Sequence, residues 1–356
     1  MLQKNHIRNS NIEALRIFAM FCITFHHMLI HTDISVWGGQ NYVIAQLFMP
    51  GGKLGVNIFV LITGYYMSQK TAKVGSKVLK NWLLVLLYSW FIAAVPFIIL
   101  RPDTSMKSLL KAIFPIVFEE YWFMTAFVGV LILSPWVNKL IASVNNRDMF
   151  KGLIVLFVMQ SFIPTFTGTE TWLSNLSFFT FLYITGAYIN RSAIAEKVSK
   201  RILLFMFGGS IIAMWGISMI LWVEAKSFPI LSNYINYFSV SVESVFIYFS
   251  ACSIFLFALK QRRFSNTLIN SVATYIVGGY LFQSHDFVSG GIWSFVNSKL
   301  DFESMWCLTA AAFICIVIIA IGSGICYLIT GVCDAFIKSK TGTRICSYLD
   351  GLLEVT

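Results

Sequence analysis

Long apolar runs, interrupted at intervals by short polar segments, fill the chain from about residue 12 to residue 329. A membrane-crossing helix needs about 20 mostly apolar residues. The pattern predicts ten of them: 12–30, 54–69, 82–100, 122–141, 152–168, 176–190, 202–222, 237–259, 268–287 and 306–329. The second, fifth and sixth are shorter or more polar than the others. Residues 105–118 (SMKSLLKAIFPIVF) are amphipathic and contain Pro115, which predicts an interfacial helix rather than an eleventh span. The expectation is an all-α polytopic membrane protein with about ten transmembrane helices, a membrane domain over 1–333 and a short cytoplasmic tail over 334–356. The first apolar run lacks a small-residue cleavage site and reads as retained rather than as a cleaved signal peptide.

Charge placement supplies an orientation. With the N-terminus in the cytoplasm, 19 Lys and Arg fall on inside segments and six on outside ones: Lys53, Arg101, Lys107, Lys111, Lys226 and Lys299. This is the asymmetry of the positive-inside rule, and both termini are then cytoplasmic. It also accounts for the net charge of +10 without nucleic acid, through basic loops lying against anionic membrane lipid. Composition agrees: 57% of residues are hydrophobic and 12% charged, at a mean hydropathy of +0.75. That leaves no room for a large soluble domain. The seven cysteines lie mostly within apolar runs and form no CxxC, so neither a disulfide framework nor a metal site is expected.

The first span, NIEALRIFAMFCITFHHMLIH, carries Glu13, Arg16, His26, His27 and His31. At 100° per residue, Glu13, Arg16, Met20, Thr24, His27 and His31 fall within about 60° of one another, whereas His26 points about 100° away. Ionisable groups in a span are costly and face a bundle interior or a wet cavity. Alternatively, Glu13 and Arg16 pair at i,i+3 and snorkel, and His27 packs against a backbone carbonyl. At a rise of 1.5 Å per residue, Glu13 and His27 are about 21 Å apart along the axis and form no direct acid–base dyad. Glu243 in the eighth span is a further intramembrane charge.

The order Glu13, Arg16, His27 resembles the opening of the membrane acyltransferase 3 family, the polysaccharide O-acetyltransferase type, with Glu13 where Asp is usual. The stretch LGVNIFVLITGYYMSQK resembles that family's G-V-x-x-F-F-x-x-S-G-[FY] at Gly55, Val56, Phe59, Thr63, Gly64 and Tyr65. Lys77 and Lys80 stand where two Arg are common, keeping charge without bidentate geometry. YWFMTAFVGVLILSP resembles a further motif at Trp122 and Pro135. GGYLFQSHDFV resembles G-x-Y-L-I-H, with Gln283 at the usual His position and His285 two residues on.

The resemblance implies an integral membrane O-acyltransferase of the bacterial inner (cytoplasmic) membrane. It would move an acyl group, most often acetyl, from cytoplasmic acetyl-CoA to a hydroxyl of a cell-envelope glycan such as O-antigen, capsule or exopolysaccharide, or of a lipid-linked sugar. Arg16, Lys77 and Lys80 would hold coenzyme phosphates, with Glu13 organising that end. His27 would act as general base on the acceptor hydroxyl, or carry the acyl group covalently in a relay. Thr63, Tyr65 and Trp122 are the oxyanion-donor candidates, and Gln283 and His285 would line the outer mouth. Nothing in the sequence specifies the acceptor sugar or an oligomeric state. A proton-coupled secondary transporter is the competing reading, although the paired broken helices of repeated halves are not visible.

Overall fold

The computed structural model describes residues 8–32, 37–68, 73–100, 105–168 and 174–354. Lys4, Lys70 and Arg101, counted in the charge asymmetry, lie outside them. The elements in chain order are α1 (Ser10–His31), α2 (Gly39–Ala45), α3 (Gly51–Met67), α4 (Gly75–Leu100), α5 (Met106–Ile113) and α6 (Trp122–Ser143). Then follow α7 (Asn146–Phe157), α8 (Ile163–Thr167), α9 (Ser174–Ser192), α10 (Ile194–Lys197), α11 (Lys200–Glu224) and α12 (Tyr237–Val240). The last are α13 (Val245–Leu259), α14 (Thr267–Tyr275), α15 (Val277–Ser284), α16 (Asp286–Lys299), α17 (Cys307–Lys338) and α18 (Lys340–Leu352). No strand occurs among the described residues, as expected where lipid cannot satisfy backbone polar groups.

Eight helical segments among the described residues are long and apolar enough to cross a membrane: the segments containing α1, α3, α4, α6, α7–α8, α11, α13 and α17. The other two expected spans are helical but weaker. Residues 176–190 lie in α9, and 268–287 divide into α14 and α15 around Ile276. The predicted interfacial helix at 105–118 shortens to α5, because the chain leaves the helix just before Pro115. The polar tail is helical as α18. Its Asp350 carboxylate accepts the Gly75 N–H at 2.8 Å, fastening α18 to the start of α4.

Glycine sets the packing of the centre. Both flanks of α3 press backbone to backbone against neighbours. A Cβ on Gly51 or Gly55 would come within 2.9 Å of the Cys22 carbonyl oxygen or 2.5 Å of that of Ala19, both on α1. On the other flank, a Cβ on Gly64 would lie 2.1 Å from the Tyr183 oxygen, and one on Gly186 2.2 Å from the Leu61 oxygen. Small residues supply this close approach in membranes, where apolar side chains gain little by leaving lipid for protein. A second such crossing joins α15 to α17 at Gly278 and Gly322, where the Tyr88 hydroxyl donates to both glycine carbonyls, at 3.0 and 3.1 Å.

Substituting Val for Gly64 or Gly186 should separate α3 from α9. The expected outcome is a loss of the monodisperse peak in fluorescence-detected size exclusion, at a cost of about 3 kcal/mol or more because backbone cannot yield as a side chain can. Val at Gly208, which has open space around it, should leave the peak unchanged.

Candidate active site

The polar stripe of α1 faces inward except at its last member, His31, which is exposed. Asn9 caps the helix, its side chain accepting the Asn11 N–H. Glu13, Met20 and Thr24 are buried, and His27 is half-buried. At the first end of α1, the Glu13 carboxylate lies 3.9 Å from both Arg8 Nε and Arg16 Nε. Those contacts are loose: Glu13 Oε2 and Arg16 Nε are both buried without a hydrogen bond. An unsatisfied guanidinium nitrogen in a span is expensive, and it marks this end as a place where an anion would be welcome.

The two adjacent histidines separate as the helical angle predicts. His26 is fully packed: its Nδ1 is 2.6 Å from the Met49 carbonyl oxygen, and its ring lies against Gly52, where a Cβ would be 2.3 Å from Cδ2. His27 is half-buried among aromatic rings. Its ring centroid is 6.3 Å from Tyr280, edge-on, and 5.9 Å from His31, which stacks on Trp293 at 5.5 Å. Tyr280 in turn meets Tyr121 and Phe123. His27 Nδ1 is buried and makes no hydrogen bond.

Gln283 is fully buried and reaches the same stripe, donating from Nε2 to the Thr24 hydroxyl at 3.1 Å. Thr24 passes that bond on to the Met20 carbonyl. Gln283 Oε1 has no partner. A buried acceptor on α15 and an unsatisfied imidazole nitrogen one turn along from Thr24 therefore lie on neighbouring turns of the stripe.

Thr63 and Tyr65 are not brought to His27. Because α3 runs antiparallel to α1 with Gly55 level with Ala19 and Ile23, Thr63 sits roughly 20 Å from His27 along the axis. Its hydroxyl is used on the Phe59 carbonyl at 2.8 Å, and the Tyr65 ring packs on Phe255. Both therefore belong to the level of Glu13 and Arg16, where they cannot donate to an oxyanion formed beside His27. Trp122, by contrast, is at the His27 end: its ring adjoins Phe123 and Phe179, and Lys53 Nζ lies 4.8 Å from its centroid. Of the two lysines, Lys80 is engaged with Asp334 of α17 at 2.5 Å. Lys77 lies one turn earlier on α4, and its carbonyl accepts from Asn81.

His285 is fully buried rather than solvated at a helix end. Its Nε2 is 3.1 Å from Ser89 Oγ and its Nδ1 is 3.5 Å from Glu120 Oε1, the outline of a nucleophilic triad. The hydrogen-bond polarity denies that chemistry. The Phe287 N–H donates to His285 Nδ1 at 3.1 Å, so Nδ1 is an acceptor and Nε2 carries the proton. Ser89 then accepts from Nε2 and donates to the Ala112 carbonyl at 2.9 Å. Glu120 Oε1 accepts the Asp286 N–H at 2.7 Å. The cluster is a buried cap for α16 that also fastens α4 and α5. Glu119, in a left-handed turn at φ 53°, directs Glu120 inward. Burial, with Asp286 nearby and against the pull of the Asp286 N–H and Lys111, pushes the Glu120 carboxyl up to about 7.

Tyr280, Trp293, Lys53, Ser89 and Glu120 were not singled out as site residues from sequence. Tyr280 stands inside the stretch GGYLFQSHDFV, and Lys53 is a cation two residues before the Gly55 motif, so each had a local signal. Trp293 and Glu120 had none. Among the described residues no cluster of three or more His, Cys, Asp or Glu side chains could hold a metal ion.

Eight apolar helical segments among the described residues, the first carrying a polar stripe, define a multi-pass membrane protein. The chain belongs to the acyltransferase 3 family, whose acyltransferase-domain model matches residues 9–327, and the protein is accordingly a membrane acyltransferase. No curated protein and no solved structure matches it.

The Glu120 carboxyl has its folded-state pKa raised from 4.5 to about 7. Its contribution to stability is therefore fully present below pH 4.5 and is lost as pH rises through 7, on the order of 3 kcal/mol at most. The thermal midpoint of detergent-purified protein should fall between pH 5 and pH 8, and Glu120→Gln should flatten that fall.

Proposed function

We propose that the protein transfers an acetyl group from cytoplasmic acetyl-CoA to a hydroxyl of a cell-envelope glycan or lipid-linked sugar presented on the far side of a bacterial cytoplasmic membrane. In this reading both chain termini face the cytoplasm, where the basic segments lie. The observation that carries it is the half-buried His27, whose unsatisfied Nδ1 lies among aromatic rings on the same stripe as Arg16.

A sugar hydroxyl attacks a thioester slowly unless its proton is taken. Imidazole is suited to that task near neutral pH. For Nε2 to accept the proton, Nδ1 must carry a hydrogen and needs an acceptor. Gln283 Oε1 is a buried acceptor without a hydrogen bond, on a helix whose Gln283 amide meets α1 at Thr24, one turn before His27. At the other end Arg16, with the glutamate that steadies it, would take a coenzyme phosphate; Lys77 is a further phosphate candidate. The axial distance from Arg16 to His27 is about 16 Å, so an extended donor arm reaching inward between the two ends would bring its thioester to the imidazole. Lys80, paired with Asp334, would first have to leave that partner to bind phosphate.

The test is transfer of radiolabelled acetyl from acetyl-CoA to envelope glycan by protein reconstituted in membranes. His27→Ala should abolish transfer while leaving the size-exclusion profile intact; undiminished transfer in that variant would overturn the proposal. Arg16→Gln should raise the KM for acetyl-CoA about tenfold, as expected for a lost charge-assisted phosphate contact, with a smaller effect on kcat.

A further inference from the structure

We propose that Arg8 is a binding residue for the acyl donor, holding the 3′-phosphate at the adenosine end of acetyl-CoA while Arg16 meets the diphosphate. The inference rests on the acyl-transfer reading above and deepens it at its cytoplasmic end. Arg8 stands one residue ahead of the stretch that the family model matches, so family membership gives it no role.

Arg8 comes just before the Asn9 cap of α1 and reaches forward to Glu13. Its Nη1 donates to the Asn270 carbonyl at 3.2 Å and to the Thr274 hydroxyl at 2.8 Å, both on α14. Its Nε lies 3.9 Å from Glu13 Oε1, and Arg16 Nε lies 3.9 Å from the other oxygen of that carboxylate. Two guanidiniums therefore flank one carboxylate, and they repel each other across it. A third cation is close by. Tyr66 faces Arg16 and Glu13, and it also faces Arg263 in the segment between α13 and α14. That segment is bonded to the start of α1: the Ser10 N–H donates to the Phe264 carbonyl at 2.9 Å, and Asn11 Nδ2 donates to the Arg262 carbonyl at 3.0 Å.

Three physical points favour a phosphate at Arg8. The first is charge. A single carboxylate does not neutralise the arginines around it, and 3.9 Å is too long for a hydrogen bond. A phosphate monoester carries nearly two negative charges at neutral pH and three acceptor oxygens, which a guanidinium meets with paired donors. The second is orientation. The bonds from Nη1 to α14 hold the plane of the Arg8 guanidinium, while Nη2 makes no hydrogen bond among the described residues. A side chain already held in place loses less entropy on binding. The third is order along the ligand. Thioester, pantetheine arm, diphosphate and 3′-phosphorylated ribose follow one another in acetyl-CoA. With the thioester at His27, about 16 Å beyond Arg16, the diphosphate falls at Arg16 and the ribose trails outward. Arg8 is the outer of the two arginines: its side chain is 50% exposed and that of Arg16 28%. Glu13 then positions both.

The test measures binding of coenzyme A and of 3′-dephospho-coenzyme A to the whole chain in detergent, by titration calorimetry. The wild-type protein should bind coenzyme A about tenfold more tightly, the scale of one charge-assisted contact. Arg8→Gln should erase that preference by weakening coenzyme A alone, and Arg8→Lys should keep part of it. Arg16→Gln should weaken both ligands alike, since both carry the diphosphate. In turnover, Arg8→Gln should raise the KM for acetyl-CoA about tenfold with kcat nearly unchanged. Equal effects of Arg8→Gln on the two ligands, the result of a merely structural tie between α1 and α14, overturn the role of Arg8. A wild-type protein that binds both ligands equally overturns it too, and in either case the donor reading stands. If the wild-type protein binds neither ligand, the donor reading fails and this inference falls with it. Should Arg8→Gln not fold, Arg8→Met repeats each measurement.

Discussion

The contact on which the rest of the site depends is the backbone approach of α3 to α1. Gly51, Gly52 and Gly55 leave no room for a Cβ, and the helices settle at a separation that only glycine permits. That approach places the His26 ring against Gly52 and its Nδ1 on the Met49 carbonyl, which fixes the rotation of α1 about its own axis. With His26 fixed in the packing, His27 has one direction left, about 100° round the helix, and that direction leads to the Tyr280 ring. A larger residue at Gly52 would therefore disturb the site through geometry, without touching His27.

Polar groups in the bundle divide into those that are satisfied and those that are not, and the division is informative because hydrocarbon offers no substitute partner. In the Ser89–His285–Glu120 cap each hydrogen bond has a donor and an acceptor in the right sense, and its product is a fastened α16; Glu120 Oε2 alone makes none. Its resemblance to a nucleophilic triad disappears once the Phe287 N–H is seen to occupy the histidine nitrogen a triad would need protonated. Arg16 Nε, His27 Nδ1 and Gln283 Oε1 are the opposite case. They are buried and open-ended, and all face the continuous stripe that joins the two ends of α1.

Much of this was legible in the sequence, for definable reasons. Hydropathy registers any helix that must lie in lipid, so α1, α4, α6 and α17 follow from composition alone, and the 100° rotation between His26 and His27 is arithmetic. Helices that are polar or broken, such as α9 and the α14–α15 pair, show in the sequence only as weaker signals. Pairings across long separations do not show at all: Gln283 meets Thr24 across 259 positions and Lys80 meets Asp334 across 254. The burial of Glu120 was hidden for another reason. A Glu–Glu pair beside an interfacial helix reads as solvated, and only the left-handed turn at Glu119 sends its neighbour inward.

The distance between the arginine and histidine ends bears on why one helix carries both. A donor that remains on one side of a membrane and an acceptor that remains on the other must meet at a point reached from both faces. Placing an anion-binding group and a proton-accepting group on one rigid helix, three turns apart, fixes the span between them more tightly than two separate helices could, because neither can slide relative to the other. Aromatic rings crowd His27 without sealing it, since His27 is half-buried and its neighbour His31 is exposed. Lys80 serves a different end: its ammonium is paired with a carboxylate at the basic end of the bundle, where it holds α4 to α17.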